Sequence, residues 1–286
     1  MPIEKAIKSY GLFLQSRTAK IIGEETDPFA ALNGAFQGAG AFLYVPPKCK
    51  CALQLTQVYT SEDMASPRLH IYLGRNADLE VEQISQGRNG FTNALIDFVL
   101  DEGAQLKLID RSVGDFQAIR GLLKKDAHFK TVSLANVLRT SLKIQLAEQG
   151  ANAELYGLAS LDGDTQGHFH ALVEHIAPNA TSRQHFKSVL KDRARFSFEG
   201  KIYVHPEAQK TAAYQLNNNL ILSDEASANA KPNLEVFADD VKASHGATVG
   251  RLDEEELFYL RSRGLDLEQA RKWLIQGFCK EILDHA

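Results

Sequence analysis

No apolar run in the sequence approaches eighteen residues, so nothing in it reads as a membrane-spanning helix. The opening residues, MPIEKAIKSYG, lack the continuous apolar core of a secretory signal, and a cytoplasmic location is the expectation. Cysteine is scarce and odd in number, three in 286 residues, which excludes a disulfide framework and leaves reduced thiols. Cys49 and Cys51 share a face if their segment is a strand, but two thiolates fall short of the four donors of a structural zinc site. Cys279 lies in a helical pattern beside Phe278, where a small buried hydrophobe is the expected role. Positive charge is not in excess: a net charge of -4 argues against neutralising nucleic-acid phosphates. The densest basic segment, Arg183 to Lys201, is interrupted by apolar residues and an aspartate, and reads as a solvated strand face. A Walker sequence, a nucleophile elbow and a glycine-rich phosphate loop are all missing, so any ATP hydrolysis has to come from a partner.

What is present is the composition of an ordinary globular chain, 44% hydrophobic and 24% charged, long enough for one large domain or two smaller ones. Residues 1–38 read as a partly helical segment, with Ile3, Ala6, Ile7, Leu12 and Leu14 at irregular helical spacing, then a loop with Asp27 and Pro28. From Phe42 onward short runs alternate apolar with polar residues, as in Leu53 to Tyr59, Leu79 to Ile84 and Leu142 to Leu146, which predicts strands over a core spanning 39–250. Residues 251–286 turn helical. Asp253 can cap a helix that stops at Gly264, and Asp266 can cap a second with Gln269 at its third position. Along that second helix Leu267, Ala270, Leu274, Phe278 and Ile282 form one stripe, with Trp273 near its border, the usual mark of core packing.

The strands are spaced as if by a repeat. An alanine closes a polar turn just before a strand at Ala77, Ala104, Ala127, Ala153, Ala180, Ala208 and Ala230, at intervals of 27, 23, 26, 27, 28 and 22. A period near 25 suits one coil of a parallel β-helix, with a small residue at each corner; a sandwich has no reason to repeat so. Ordering one coil costs about 1.5 kcal/mol per residue, more than its own apolar area returns at about 25 cal/mol per Å², so coils must stack. The two end coils then expose backbone edges, and the terminal segments read as caps or as surfaces for partners.

The stretch from Leu220 to Gly250 concentrates the candidate chemistry. Leu220 to Leu222 and Leu234 to Phe237 read as short strands, and Ser223 to Asn233 as a shaped turn. His245 follows Asp239 and Asp240 and stands between Ser244 and Gly246, where small neighbours leave the imidazole approachable. It can be a metal ligand, a structural side chain or a base oriented by a carboxylate. A second group, His168, His170, His175 and His185, has only two members on one strand face, which is not a site.

The wording SDEASANAKPNLEVFADDVKASHGATVGRLDEEELFYLRSRG closely resembles the C-terminal signature of the SufD family, scaffold subunits of SUF iron–sulfur cluster assembly. The likeness is clearest from about Gln184 onward. It implies a mainly β fold, a right-handed parallel β-helix core with a C-terminal α-helical segment, and a non-catalytic role. It implies pairing with a SufB-like homologue near His245, whose place in SHGAT is tied to a nascent iron–sulfur cluster shared transiently with that partner, the isolated chain holding none tightly. It also implies docking of a SufC-like ABC ATPase on the terminal helices around Phe258, Tyr259, Leu260, Arg261, Arg263 and Gly264. An exposed β-helix end is in itself a natural pairing surface, which allows a homodimer when the SufB-like partner is absent. Neither nucleic acid nor membrane is expected as a partner. Ala243 stands where some relatives have a cysteine, and Ala226 where SufB carries one, so His245 is the soft donor that remains. The competing reading is a β-helix enzyme acting on carbohydrate or acyl groups, with His245, Asp239 and Asp240 as acid–base residues.

Overall fold

The computed structural model describes residues 1–3, 5–6, 8–9, 27–36, 40–59, 64–87, 90–134 and 136–286. The repeat has a backbone cause. Lys48, Asn76, Gly103, Asp126, Gly150, Asn179 and Lys210 all adopt φ between 54° and 74°, the left-handed region that Gly, Asn and Asp tolerate best. Five of these seven are followed at once by a fully buried alanine: Ala77, Ala104, Ala127, Ala151 and Ala180. The corners also bond to one another. The amide of Lys48 donates to the carbonyl of Arg75, Asn76 to Glu102, Gly103 to Lys125 and Asp126 to Gln149, each at 2.9 Å. The amide of each left-handed residue thus joins its corner to the corner of the next coil, and the small alanine beside it fits the bend.

Two of the alanines expected at corners are not there. The corner residue before the strand containing Ala153 is Ala151, and Ala230 lies inside a strand of the opposite sheet, the nearby corner being taken by Ala226. The residues from Ser227 to Asn233, read as turn, are likewise strand. Polar composition hid it, because this strand is at a sheet edge and half exposed.

Between corners the strands form two parallel sheets. One runs β1 (Gly40–Val45), β4 (Arg68–Leu73), β6 (Phe91–Leu100), β8 (Val113–Leu123), β10 (Asn136–Leu146), β12 (Gln166–His175), β14 (Arg195–Val204), β16 (Ser227–Val236), with the short β3 (Met64–Ala65) also on β6. The other runs β2 (Lys50–Tyr59), β5 (Asp78–Gly87), β7 (Gln105–Arg111), β9 (His128–Ser133), β11 (Asn152–Leu161), β13 (Thr181–Leu190), β15 (Thr211–Ile221), β17 (Val241–Gly250). Each coil gives one strand to each sheet, making the parallel β-solenoid that the repeat predicts. Register fixes the coil length: Arg68 lies opposite Leu95 and Leu95 opposite Ala118, coils of 27 and 23 residues, whereas Arg195 lies opposite Ser227, a coil of 32.

Alternate residues of both sheets meet inside. Leu, Ile and Val from Leu69 to Leu146 fill the first coils, and Phe98, Phe129, Phe169, Phe186, Phe196 and Phe198 carry the stack onward. Gly121 serves this core by having no side chain: a Cβ there would stand 2.0 Å from the Phe98 ring. Asp27 caps helix α1 (Pro28–Ala35), accepting from the amides of Phe29 and Ala30. The helix lies on the outer face of β6 and β8, with Phe29 stacked on Phe116 at 3.7 Å. Of the expected N-terminal helical residues, Ile7, Leu12 and Leu14 lie outside the described residues.

At the other end the chain leaves β17 and forms helix α2 (Glu254–Ser262), capped by Asp253, then helix α3 (Leu267–Leu283), which starts with a complete capping box between Asp266 and Gln269. Gly264, at φ 93°, makes the turn between them. The last part of α3 lies on the outer face of β11 and β13. Ile282 inserts against Val132 and Tyr156, and His285 stacks on Tyr156 at 3.7 Å. Lys187, within the segment read as solvated, is buried under this helix. It donates to the carbonyl of Phe278 at 2.9 Å, pairs with Glu281 and sits 4.3 Å from the centre of the Phe278 ring.

Candidate functional site at the last coil

His245 lies on β17, the last strand of its sheet, five positions past Asp240. Parallel in-register pairing sets Ala213 opposite Ala243, Gln215 opposite His245 and Asn217 opposite Ala247. Since Ala213 and Ala243 pack in the core of the last coils, strand alternation places His245 on the inward row. The row below it is polar: Gln184 lies opposite Gln215, both are buried, and the Gln215 amide Nε2 donates to Gln184 Oε1 at 3.0 Å. In the preceding coil the same row holds Leu155. His245 is exposed because no further coil covers it. Beside it runs a groove of about 500 Å³ lined also by Tyr156, Arg183, His185, Tyr214 and His285.

The free edges of this end belong to β16 and β17. β16 carries Pro232 opposite Gly200, and a residue with no amide hydrogen belongs where no further strand asks for one. The exposed inner rows of this coil offer Ala, Val and Leu on either side of the single imidazole, with partly buried Leu234, Val236, Val241 and Ala243 at its base.

The carboxylates named with His245 are elsewhere. Asp239 and Asp240 occupy the corner before β17, where the Asp240 amide donates to Gln209 Oε1 at 3.0 Å and the Asp240 carbonyl accepts from the Lys210 amide. No hydrogen bond or ion pair among the described residues links either one to His245, so the acid–base reading has no oriented pair to work with.

The other histidines do not converge. His168 and His170 lie on the outer face of the first sheet, His168 Nδ1 lying 2.5 Å from Ser197 Oγ. His175 is fully buried inside, its Nε2 2.8 Å from Ser182 Oγ, and burial pulls its pKa down to about 4. His185 is on the outer face of the second sheet, held by Asn218 at 3.0 Å, with burial lowering its pKa. Among the described residues no group of three or more His, Cys, Asp or Glu could hold a metal ion. One exposed imidazole fits one ligand position of a shared centre, not a whole one.

Cys49 falls at a corner and Cys51 on the inward row of the first coil, so the pair does not share a strand face. Burial raises the pKa of both Cys51 and Cys279, the opposite of an activated thiolate, and Cys279 is half-buried rather than core.

The terminal helices carry a second surface. Phe258 is 73% exposed, Tyr259 57% and Trp273 59%, with Leu267 and Leu283 also exposed. Arg261, Arg263 and Gly264 are exposed and Leu260 half-buried, and the Arg263 guanidinium lies 5.2 Å from the Tyr259 ring centre. The stripe read as core on α3 is therefore core only at Ala270 and Ile282. Sequence reading missed Gln184 and Gln215 altogether; the signal was their spacing to His245, 31 and then 30 residues, the local coil length.

No helix among the described residues is long and apolar enough to cross a membrane. A family model described as the SufBD core domain of SUF-system FeS cluster assembly matches residues 56–278. An iron–sulfur cluster assembly SufBD family protein of Synechocystis is 32% identical over 94% of this chain and 66% of its own length. Protein ABCI7, chloroplastic, of Arabidopsis thaliana is 28% identical over 95% of this chain and 62% of its own. The iron–sulfur cluster assembly protein SufD of Escherichia coli is 38% identical over 52% of this chain and 35% of its own. The chain thus spans less than two thirds of the length of these relatives.

Proposed function

Because the chain belongs to the SufBD family of the SUF iron–sulfur cluster assembly system, we propose that it is a non-catalytic, SufD-like scaffold on which a cluster is built as cargo. The observation that carries this reading is His245 on an open last coil, an imidazole among small apolar side chains between two free strand edges. A SufB-like homologue ending in the same kind of coil would pair with those edges strand to strand, and apolar inner rows would close over each other. His245 then supplies one donor and the partner the thiolates, since this chain has alanine at Ala243 and Ala226. Without that partner the same edges pair with a second copy of this chain.

The exposed aromatic surface around Phe258 and Tyr259 is the docking site for a SufC-like ABC ATPase in this reading, Arg261 and Arg263 providing its charged rim. ATP hydrolysis belongs to that partner, and the assembly works in the cytoplasm. Co-expression with the candidate SufB-like and SufC-like subunits, for wild type and His245→Ala, tests the proposal. Copurification of three subunits with a visible cluster chromophore that fades in the variant supports it. A chain that stays alone and colourless refutes it.

A further inference from the structure

Two glutamines buried in the last coils of a solenoid need a reason, because an amide side chain inside a protein costs stability unless both its ends are satisfied. Gln184 is 1% exposed and Gln215 3%, on adjacent inward rungs. The only hydrogen bond recorded between them runs from Gln215 Nε2 to Gln184 Oε1, which gives the ladder a direction: the amide nitrogen points back toward the core and the carbonyl oxygen is left over. Gln215 Oε1 is buried with no hydrogen-bond partner among the described residues. The facing sheet makes room for this amide at Gly200, where a Cβ would stand 2.4 Å from Gln215 Nε2. The next rung, toward the open end, is His245.

In-register rungs of a sheet are roughly 4.8 Å apart, the spacing at which side-chain amides of successive strands bond to one another. An imidazole continuing the ladder in the same direction donates its one N–H to Gln215 Oε1. We propose that Gln215 is a positioning residue for His245, its side-chain carbonyl accepting the imidazole N–H and so selecting the tautomer whose other nitrogen presents its lone pair at the open face. A neutral imidazole with one nitrogen engaged by a carbonyl and the other free is the form in which histidine ligates a metal. Gly200 belongs to the same device, since any side chain there displaces the Gln215 amide. The proposal rests on the reading that His245 faces a shared cluster, and it gives that residue a fixed orientation before any partner arrives.

Nitrogen-15 spectra of the histidine rings in the full chain, recorded in alkaline buffer well above the usual imidazole range, test it without any cluster. Wild type is expected to show His245 as one dominant tautomer. Gln215→Met, close in volume but with no acceptor, is expected to return it to the mixture of free imidazole, with the buried His175 signals unchanged as the check on folding. Gly200→Ala is the second variant and is expected to act in the same direction. A wild-type His245 that already shows the free-imidazole mixture overturns the proposal with no variant needed, and so does a folded Gln215→Met with an unchanged tautomer. If the tautomer behaves as expected while His245→Ala leaves the cluster chromophore of the three-subunit complex untouched, the contact stands and the cluster-facing reading falls.

Discussion

Ile282 is where the C-terminal helix is held to the solenoid, and Ile282→Ala should release the helix without unfolding the coils. The side chain is fully buried in a small cluster with Val132 and Tyr156 on the outer face of β9 and β11, separate from the main core on the other side of that sheet. Removing it costs about 3 kcal/mol, within the 2–5 kcal/mol usual for such truncations. At about 1.4 kcal/mol per factor of ten, that shifts the docking equilibrium roughly a hundredfold toward the undocked state. The loss has few places to be absorbed, since Ala270 and Ile282 are the only buried residues of α3, and what remains is the Lys187 clamp and the His285–Tyr156 stack. Undocked, a seventeen-residue helix is marginal in water, so its amides exchange. Hydrogen exchange read by mass spectrometry should show residues 267–283 exchanging about a hundredfold faster, with β11 and β13 still protected. Equal loss of protection in those strands, or an unchanged helix, would refute the view that α3 is a separately docked element.

Three further outcomes follow from the interior. Burial lowers the His175 pKa to about 4, so its contribution is present above the unfolded value near 6.5 and is lost as pH falls toward 4, roughly 3 kcal/mol in all; urea titrations at stepped pH should show that slope shrink in His175→Asn, and an identical slope would count against it. Burial raises the Asp110 pKa, so stability is lost as pH rises through that raised value, and Asp110→Asn, which keeps the acceptor for Ser112, should match wild type in acid and exceed it at pH 8; a variant less stable at pH 8 would mean the carboxylate is ionised and paired. Gly121→Ala pushes a methyl into the Phe98 ring, which Phe129 backs at 4.3 Å, and should cost about 1–3 kcal/mol, lowering Tm by roughly 2–10 °C in a thermal scan.

The sequence by itself determined the repeat and therefore the fold. Left-handed corners favour Gly, Asn or Asp and tight bends favour alanine, so the composition of each corner reports its geometry, and DEGA, KKDA and APNA are legible without coordinates. The helix caps Asp253 and Asp266 were legible for the same reason: a cap acts within four residues of itself. What lies one coil away was not. The identity of the neighbouring rung depends on coil length, which changes from 23 to 32 residues along the chain, so only the tertiary structure brings Gln184 and Gln215 beneath His245. It also decided that Lys187 is buried and Trp273 is not, because an amphipathic stripe names a face but not what covers it, and that Ser227 to Asn233 is an edge strand, since an edge tolerates a proline and polar residues that a central strand would reject. Local chemistry wrote the corners and caps into the sequence; stacking across some thirty residues decided which side chains meet at the open end.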